Sequence, residues 1–251
     1  MKDFNIKAVD GLTFNGSDHR YELDGKWIPG VTTITGNMSK PYLVPWAAKM
    51  VMEKAKELIK PNTPYTEKEL AALLLTAKQA PDKRKTGAAD KGKLAHGWIE
   101  GYIKGENLID AKPTDPDVCA SVDSFLAWER ENKPRWIQSE LLVCSRKYEY
   151  AGTLDAVAEI AGRVGIVDFK SGKSIPDDIS LQVDGGYRIA VEEMGGEIDF
   201  GAVLHIPALP GSKYEYRELT APVEFAKETF LSLRQIAKWS SYIKSSKKEI
   251  R

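Results

Sequence analysis

Cysteine is scarce: Cys119 and Cys144 are the only two among 251 residues. They form no CxxC pair, and two thiols cannot hold a four-cysteine zinc or iron–sulfur site. They are expected to be reduced, partly buried thiols, and no iron–sulfur cluster is expected. Net charge is also missing, since 36 Lys and Arg balance 36 Asp and Glu. Any polyanion partner must therefore be met by a local basic footprint. Apolar runs such as AALLL, residues 71–75, are far too short to span a bilayer. The opening MKDFNIKAVD lacks the continuous apolar stretch of a secretory signal. A soluble, cytoplasmic protein with no membrane association is expected. There is no GxxxxGK[ST] phosphate loop, no internal repeat and no low-complexity linker.

What is present suits a globular protein large enough for a full core, with 42% apolar and 29% charged residues. Two segments are locally basic: PDKRKTGAADKGK at 81–93, with five basic and two acidic side chains, and the tail KSSKKEIR at 244–251. Charge runs of this kind usually form solvated faces. HRYELDGKWI, 19–28, reads as a hairpin turning at Asp24-Gly25, and PGVTTITG, 29–36, is a short β-branched run bounded by glycines. Helices are expected over 45–60, Thr66–Lys78, Arg84–Lys104 and Asp115–Asn132. Thr66 and Glu69 have capping-box spacing at the second of these. Strands follow at 135–144, 149–160 and 163–170, then a helix over 178–194, strands at 199–206 and 213–218, and a last helix over 222–244. Helices followed by β-β-β-α-β-β-α suggest one α/β domain with a mixed sheet and an N-terminal helical part.

The most informative stretch is GTLDAVAEIAGRVGIVDFKSG, 152–172. It places Asp155, Asp168 and Lys170 where strands favour Val or Ile. With a tight turn at Gly162-Arg163, Asp155 lies opposite Lys170 and Val157 opposite Asp168. Side chains alternate faces along a strand, so the three ionisable groups share one face, with Asp155 diagonal to Asp168. Leu154, Ala156, Ala158, Ile160, Val167 and Phe169 form the other, a core face. A slip of one residue would separate the carboxylates.

Two close carboxylates repel unless positive charge sits between them. Lys170 alone would make a structural ion pair. A divalent cation is the stronger solution, since carboxylate oxygens are hard ligands for Mg²⁺ or Mn²⁺. Such an ion can activate water and stabilise a phosphoryl transition state.

An upstream aspartate followed by Asp-x-Lys on the next strand resembles the PD-(D/E)xK nuclease superfamily. The ordered segments GKLAHGWIE (92–100), SELLV (139–143), YAGTLDAVAEI (150–160), GIVDFKSG (165–172) and LQVDGGY (181–187) are similar to its RecB-like branch. That branch includes CRISPR-associated spacer-processing nucleases and mitochondrial genome-maintenance exonucleases, and PGVTTI is similar to a segment of the mitochondrial group. The resemblance covers most of residues 29–190. It implies an α/β fold, a restriction-endonuclease-like core with a central mixed β-sheet flanked by helices. One nuclease domain would span 1–251, with the hairpin and helices in 1–133 and the catalytic sheet and C-terminal helix in 134–251.

By that resemblance Asp155 and Asp168 are principal metal ligands, Lys170 is the catalytic lysine, and the Phe169 carbonyl completes the coordination of Mg²⁺ or Mn²⁺. His96 adds a ligand from a helix, although a lone helical histidine more commonly packs or faces solvent. Glu140 matches an acidic position that supports a second metal or the water; otherwise it is a surface glutamate on an edge strand. Gln182 and Tyr187 match a glutamine–tyrosine pair usually four residues apart. Here they are five apart, and five α-helical residues turn about 500°, setting the pair roughly 140° apart rather than about 40°. Gly185 and Gly186 offer a place for a bulge that realigns them. Ser171 and Lys173 are placed to touch phosphates, and the run holding Arg84, Lys91 and Lys93 leads into His96. Trp27, Trp46 and Trp98 offer surfaces for base stacking, though core packing is the commoner use.

The implied activity is a metal-dependent DNA exonuclease acting on single strands or free ends, of phage or mobile-element type, with a recombination or replication protein as a further partner. The alternatives are a processive double-strand exonuclease of the phage recombination type, a structure-selective endonuclease, a non-catalytic nucleic-acid-binding module on a nuclease fold, and a metal-free α/β protein with a buried ion pair.

Overall fold

A computed structural model describes residues 4–16, 18–106 and 111–249, with the side chains of 247–249 left out of account. The end of the basic tail thus lies outside the described residues. Two compact units emerge, one of residues 1–38 and 94–251 and the other of residues 39–93.

The first unit begins with a three-stranded antiparallel sheet, β1 (Leu12–Asn15), β2 (Arg20–Leu23) and β3 (Lys26–Ile28). Asp24 and Gly25 both have positive φ, 52° and 74°, as a tight two-residue hairpin turn requires. The β-branched run that follows forms a short helix, α1 (Val31–Thr35). Val31 and Ile34 are buried in the core, and burial outweighs the modest helix penalty of β-branching. In the other unit, α2 (Leu43–Leu58) and α3 (Glu67–Lys78) precede α4 (Ala80–Ile103), whose residues are divided between the two units. The expected capping box is present at α3: Thr66 Oγ1 accepts from the Glu69 amide at 3.3 Å, and Glu69 accepts from the Thr66 amide at 2.8 Å.

The main sheet has five strands in sequence order. After α5 (Pro116–Asn132), capped by Asp115, come β4 (Arg135–Ser145), β5 (Tyr150–Ile160) and β6 (Arg163–Lys170), an antiparallel meander. A π-helix (Leu181–Tyr187) and α6 (Arg188–Glu193) cross over to β7 (Phe200–His205), which runs parallel to β6. The strand β8 (Glu215–Glu218) pairs antiparallel with β7, and α7 (Val223–Glu249) ends the described chain. The mixed α/β sheet flanked by helices is the architecture expected from the element order.

The β5–β6 register differs from the expected one. The turn is Ala161-Gly162, with φ of 50° and 76°, so Ile160 faces Arg163 and Ala156 faces Val167. The expected turn lay one residue later. Moving a turn by one residue shifts the pairing by two, which preserves the side-chain faces. Continued in this register, Asp155 stands opposite Asp168 rather than Lys170, and the carboxylates come closer than the diagonal placement implied.

Both faces of this sheet are covered, so the face carrying the aspartates also holds core. Val157 and Ile166 pack with Val183, Tyr187 and Phe230. Ala156, Ala158, Val167 and Phe169 pack with Ile99, Phe125 and Trp128. Leu154 joins Val157 rather than Ala156. The alternation expected from the sequence is therefore interrupted just before Asp155.

Glycine allows the crossover to fit. A Cβ on Gly185 would lie 2.8 Å from the Ala226 carbonyl and 2.8 Å from Phe230 Cβ on α7. Overpacking of this kind costs ~1–3 kcal/mol, so Gly185→Ala is expected to lower Tm by several degrees in a thermal melt. An unchanged Tm would show that α7 does not pack this closely.

Candidate metal centre

The site forms where β4, β5 and β6 meet α4 and the π-helix. Each side chain owes its position to a local feature of the backbone. Glu140 has φ of 50° within β4, a left-handed conformation that costs a non-glycine residue energy and clusters at functional sites. Its neighbours Ser139 and Leu141 pair with Ala156 and Leu154, so the irregularity sets Glu140 against Asp155. On β5, Asp155 Oδ2 accepts from the amide of Phe169 on β6 at 2.6 Å, which fixes the carboxylate. His96 approaches from α4, with Nδ1 3.5 Å from Asp155 Oδ1 and its ring edge-on to Phe169 at 5.9 Å.

His96, Glu140 and Asp155 each present a ligand atom, all within 4.8 Å of one another. One imidazole and two carboxylates suit a divalent cation such as Mg²⁺ or Mn²⁺, with Mn²⁺ better matched to the nitrogen. Asp168 is not part of this set. It is almost fully buried, and its Oδ2 contacts Lys170 Nζ as an ion pair. Oδ1 accepts from Gln182 Nε2 at 3.0 Å. Phe169 takes part through its amide.

Gln182 also reaches the Tyr187 hydroxyl at 3.2 Å. The five-residue spacing is accommodated because LQVDGGY is a π-helix. Its i→i+5 pattern brings residues five apart onto one face. Within it, buried Asp184 accepts from Arg188 at 2.8 Å, and Arg188 donates to the Ile198 carbonyl at 2.6 Å. Gly152, in the YAGTLD segment, leaves room for Tyr187: a Cβ there would stand 2.7 Å from the ring.

The charges crowd one another in a poorly solvated place. Burial and the neighbouring Asp155 and Glu100 push Glu140 up to about 7. Burial raises Asp168 to about 6 despite Lys170, with Asp155 adding to the rise. Burial would raise Asp155 as well, but the charge and hydrogen bond of His96, with Lys170 and the Phe169 amide, hold it below its ordinary value. His96 is raised because Asp155 outweighs the opposing effect of burial. Lys170 is likewise raised, Asp168 and Asp155 overcoming desolvation.

The other expected contacts are peripheral or separate. Ser171 follows β6 half-buried, and Lys173 is exposed; His205 hydrogen-bonds the Gly172 carbonyl between them at 2.7 Å. Arg84, Lys91 and Lys93 belong to the other unit, where Arg84 and Lys93 are exposed on α4 and Lys91 is half-buried. Trp98 is core, Trp46 is half-buried, and Trp27 is 52% exposed, contrary to the core packing more usual for tryptophan. Two neighbours of the site were not singled out from sequence. Buried Tyr21 hydrogen-bonds Thr153 Oγ1 at 3.2 Å, and buried Asp178 adds negative charge near Lys170. Neither Thr153 nor Tyr21 left a signal: the alternation that would link Thr153 to Asp155 is interrupted between them, and Tyr21 lies far away in sequence.

No family model matches the chain, and no curated protein does. Among solved structures the chain is similar to SSO0001, at 11% identity over 77% of this chain and 84% of that one, with a TM-score of 0.30. It is also similar to an alkaline exonuclease from Laribacter hongkongensis, at 10% identity over 83% of this chain and all of that one, with a TM-score of 0.33. Likeness this faint leaves the functional reading to the geometry.

Glu140 yields a test of sign. It ionises near 4.5 when unfolded and near 7 when folded, so its contribution to stability falls as pH rises through that interval. In the presence of EDTA, Glu140→Gln should raise Tm at pH ~8 and change it little at pH ~4.5. Added Mn²⁺ should stabilise the parent protein more than the variant. Equal Tm for both proteins at every pH would contradict the crowding of charge described here.

Proposed function

We propose that the protein is a metal-dependent nuclease that hydrolyses phosphodiester bonds in DNA. The observation that carries this is the donor set His96, Glu140 and Asp155, beside the Lys170–Asp168 pair at the C-terminal end of β6. The ordered motifs of the PD-(D/E)xK resemblance support the same reading. Within it, we favour an exonuclease acting on single strands or free ends.

Each residue has a role that follows from its surroundings. His96, Glu140 and Asp155 would hold Mg²⁺ or Mn²⁺, with Asp168 alongside as a further acidic ligand. Bound there, the ion would supply Lewis-acid charge to the phosphate and lower the pKa of a water. Glu140, set against Asp155 by the backbone of β4, would also orient the attacking water beside the ion. Lys170 stays cationic and would offer its ammonium to a phosphate oxygen that gains charge in the transition state. Gln182, held by Tyr187, keeps Asp168 in place through its hydrogen bond.

The test is cleavage of end-labelled single-stranded, duplex and covalently closed circular DNA with Mg²⁺ or Mn²⁺. Linear substrates should be degraded and circles spared, and Lys170→Ala should lose on the order of a hundredfold or more in rate. Cutting of circles would make the enzyme an endonuclease. No cleavage of any substrate with either ion would overturn the proposal.

A further inference from the structure

A groove of about 450 Å³ lies between the β3–α1 segment and α7. Its lining includes Lys26, Arg234, Lys238 and Lys244, and one acidic side chain, Glu149. In a chain of zero net charge, this is a local positive excess. Glu149 sits 3.8 Å from Arg234 and 4.0 Å from Lys238, which offsets about one of the four cations. Lys238 remains 66% exposed. Arg234 is the wall rather than a contact: its guanidinium donates to the carbonyls of Tyr148 and Glu149 at 2.9 and 3.0 Å.

Trp27 lines the same groove with half its surface in water. On β3 it faces away from its neighbour Ile28, which is buried. An exposed indole beside lysines offers a flat face on which an unpaired base can stack. The groove is also joined to the catalytic strand. The Ala151 amide donates to the Pro29 carbonyl at 3.1 Å, and Pro29 lines the groove. Four residues of strand separate Ala151 from Asp155, about 13 Å.

We infer that this groove is a docking surface for single-stranded nucleic acid, with Lys26, Lys238 and Lys244 meeting phosphates and Trp27 stacking on a base. The inference takes its partner chemistry from the nuclease reading above. The lysines neutralise successive backbone charges, and the indole favours unpaired bases, whose faces are accessible only in a single strand.

The experiment is fluorescence anisotropy with a fluorescein-labelled oligothymidylate in EDTA, using the full chain and its K238E/K244E and W27A variants. Hydrolysis of bis(p-nitrophenyl) phosphate with Mn²⁺ is measured alongside, since so small a diester reaches the metal centre without needing the groove. K238E/K244E is expected to weaken binding at least about tenfold at low salt and to flatten the slope of log K against log salt by about 1 per lysine. W27A is expected to weaken it about fivefold or more. Diester hydrolysis by either variant should match the parent. Failure of the parent to bind, affinity unchanged in both variants, or a duplex bound as tightly as the single strand would overturn the inference. Loss of diester hydrolysis in the parent would instead count against the nuclease reading, leaving the binding result to stand separately.

Discussion

Glu140 and Asp155, midway along β4 and β5, and Asp168, near the end of β6, are gathered around His96 and Lys170 in a sheet with apolar core on both faces. Three carboxylates in a medium of low polarity repel strongly, and the surrounding structure offsets that repulsion without abolishing it. His96 and the Phe169 amide hold Asp155 ionised, and Lys170 is drawn to Asp168. Glu140 is left with a pKa near 7. Natural folds tolerate such residual strain chiefly where an ion or a reaction uses it. A divalent cation would relieve it directly.

The scaffold is arranged to keep that cluster in place. A positive φ at Glu140 and a break in alternation before Asp155 turn two neighbouring strands so that their acidic side chains converge. The π-helix performs the equivalent task from the other side. Its extra residue aligns Gln182 with Tyr187, the buried Asp184–Arg188 pair holds it, and glycines at 185 and 186 let α7 and α1 close over it. Packing thus supports the position of Asp168, and a change in the core would reach the site through Gln182.

Much of this was legible in the sequence because it is periodic and local. The strands, the capping box at Thr66 and the shared face of Asp155, Asp168 and Lys170 follow from spacing alone. The register was missed by one turn residue because Ala161, an unusual residue for a left-handed conformation, occupies the turn. From Asp155 onward the expected faces hold because the error is even, whereas Leu154 falls on the other face. Glu140 could be placed on a strand but not aimed, since its direction depends on a backbone irregularity without a sequence signature. The alignment of Gln182 with Tyr187 could be stated only as a condition on Gly185 and Gly186, which the π-helix meets. Exposure of Trp27 is a tertiary outcome, set by what packs on the far side of β3.

The most direct measurement is pulsed electron paramagnetic resonance of Mn²⁺ added to the protein labelled with ¹⁵N-histidine. The account predicts saturable binding with ¹⁵N coupling to the ion that disappears in His96→Ala while His19 and His205 remain. No saturable binding, or a nitrogen coupling that persists without His96, would contradict it.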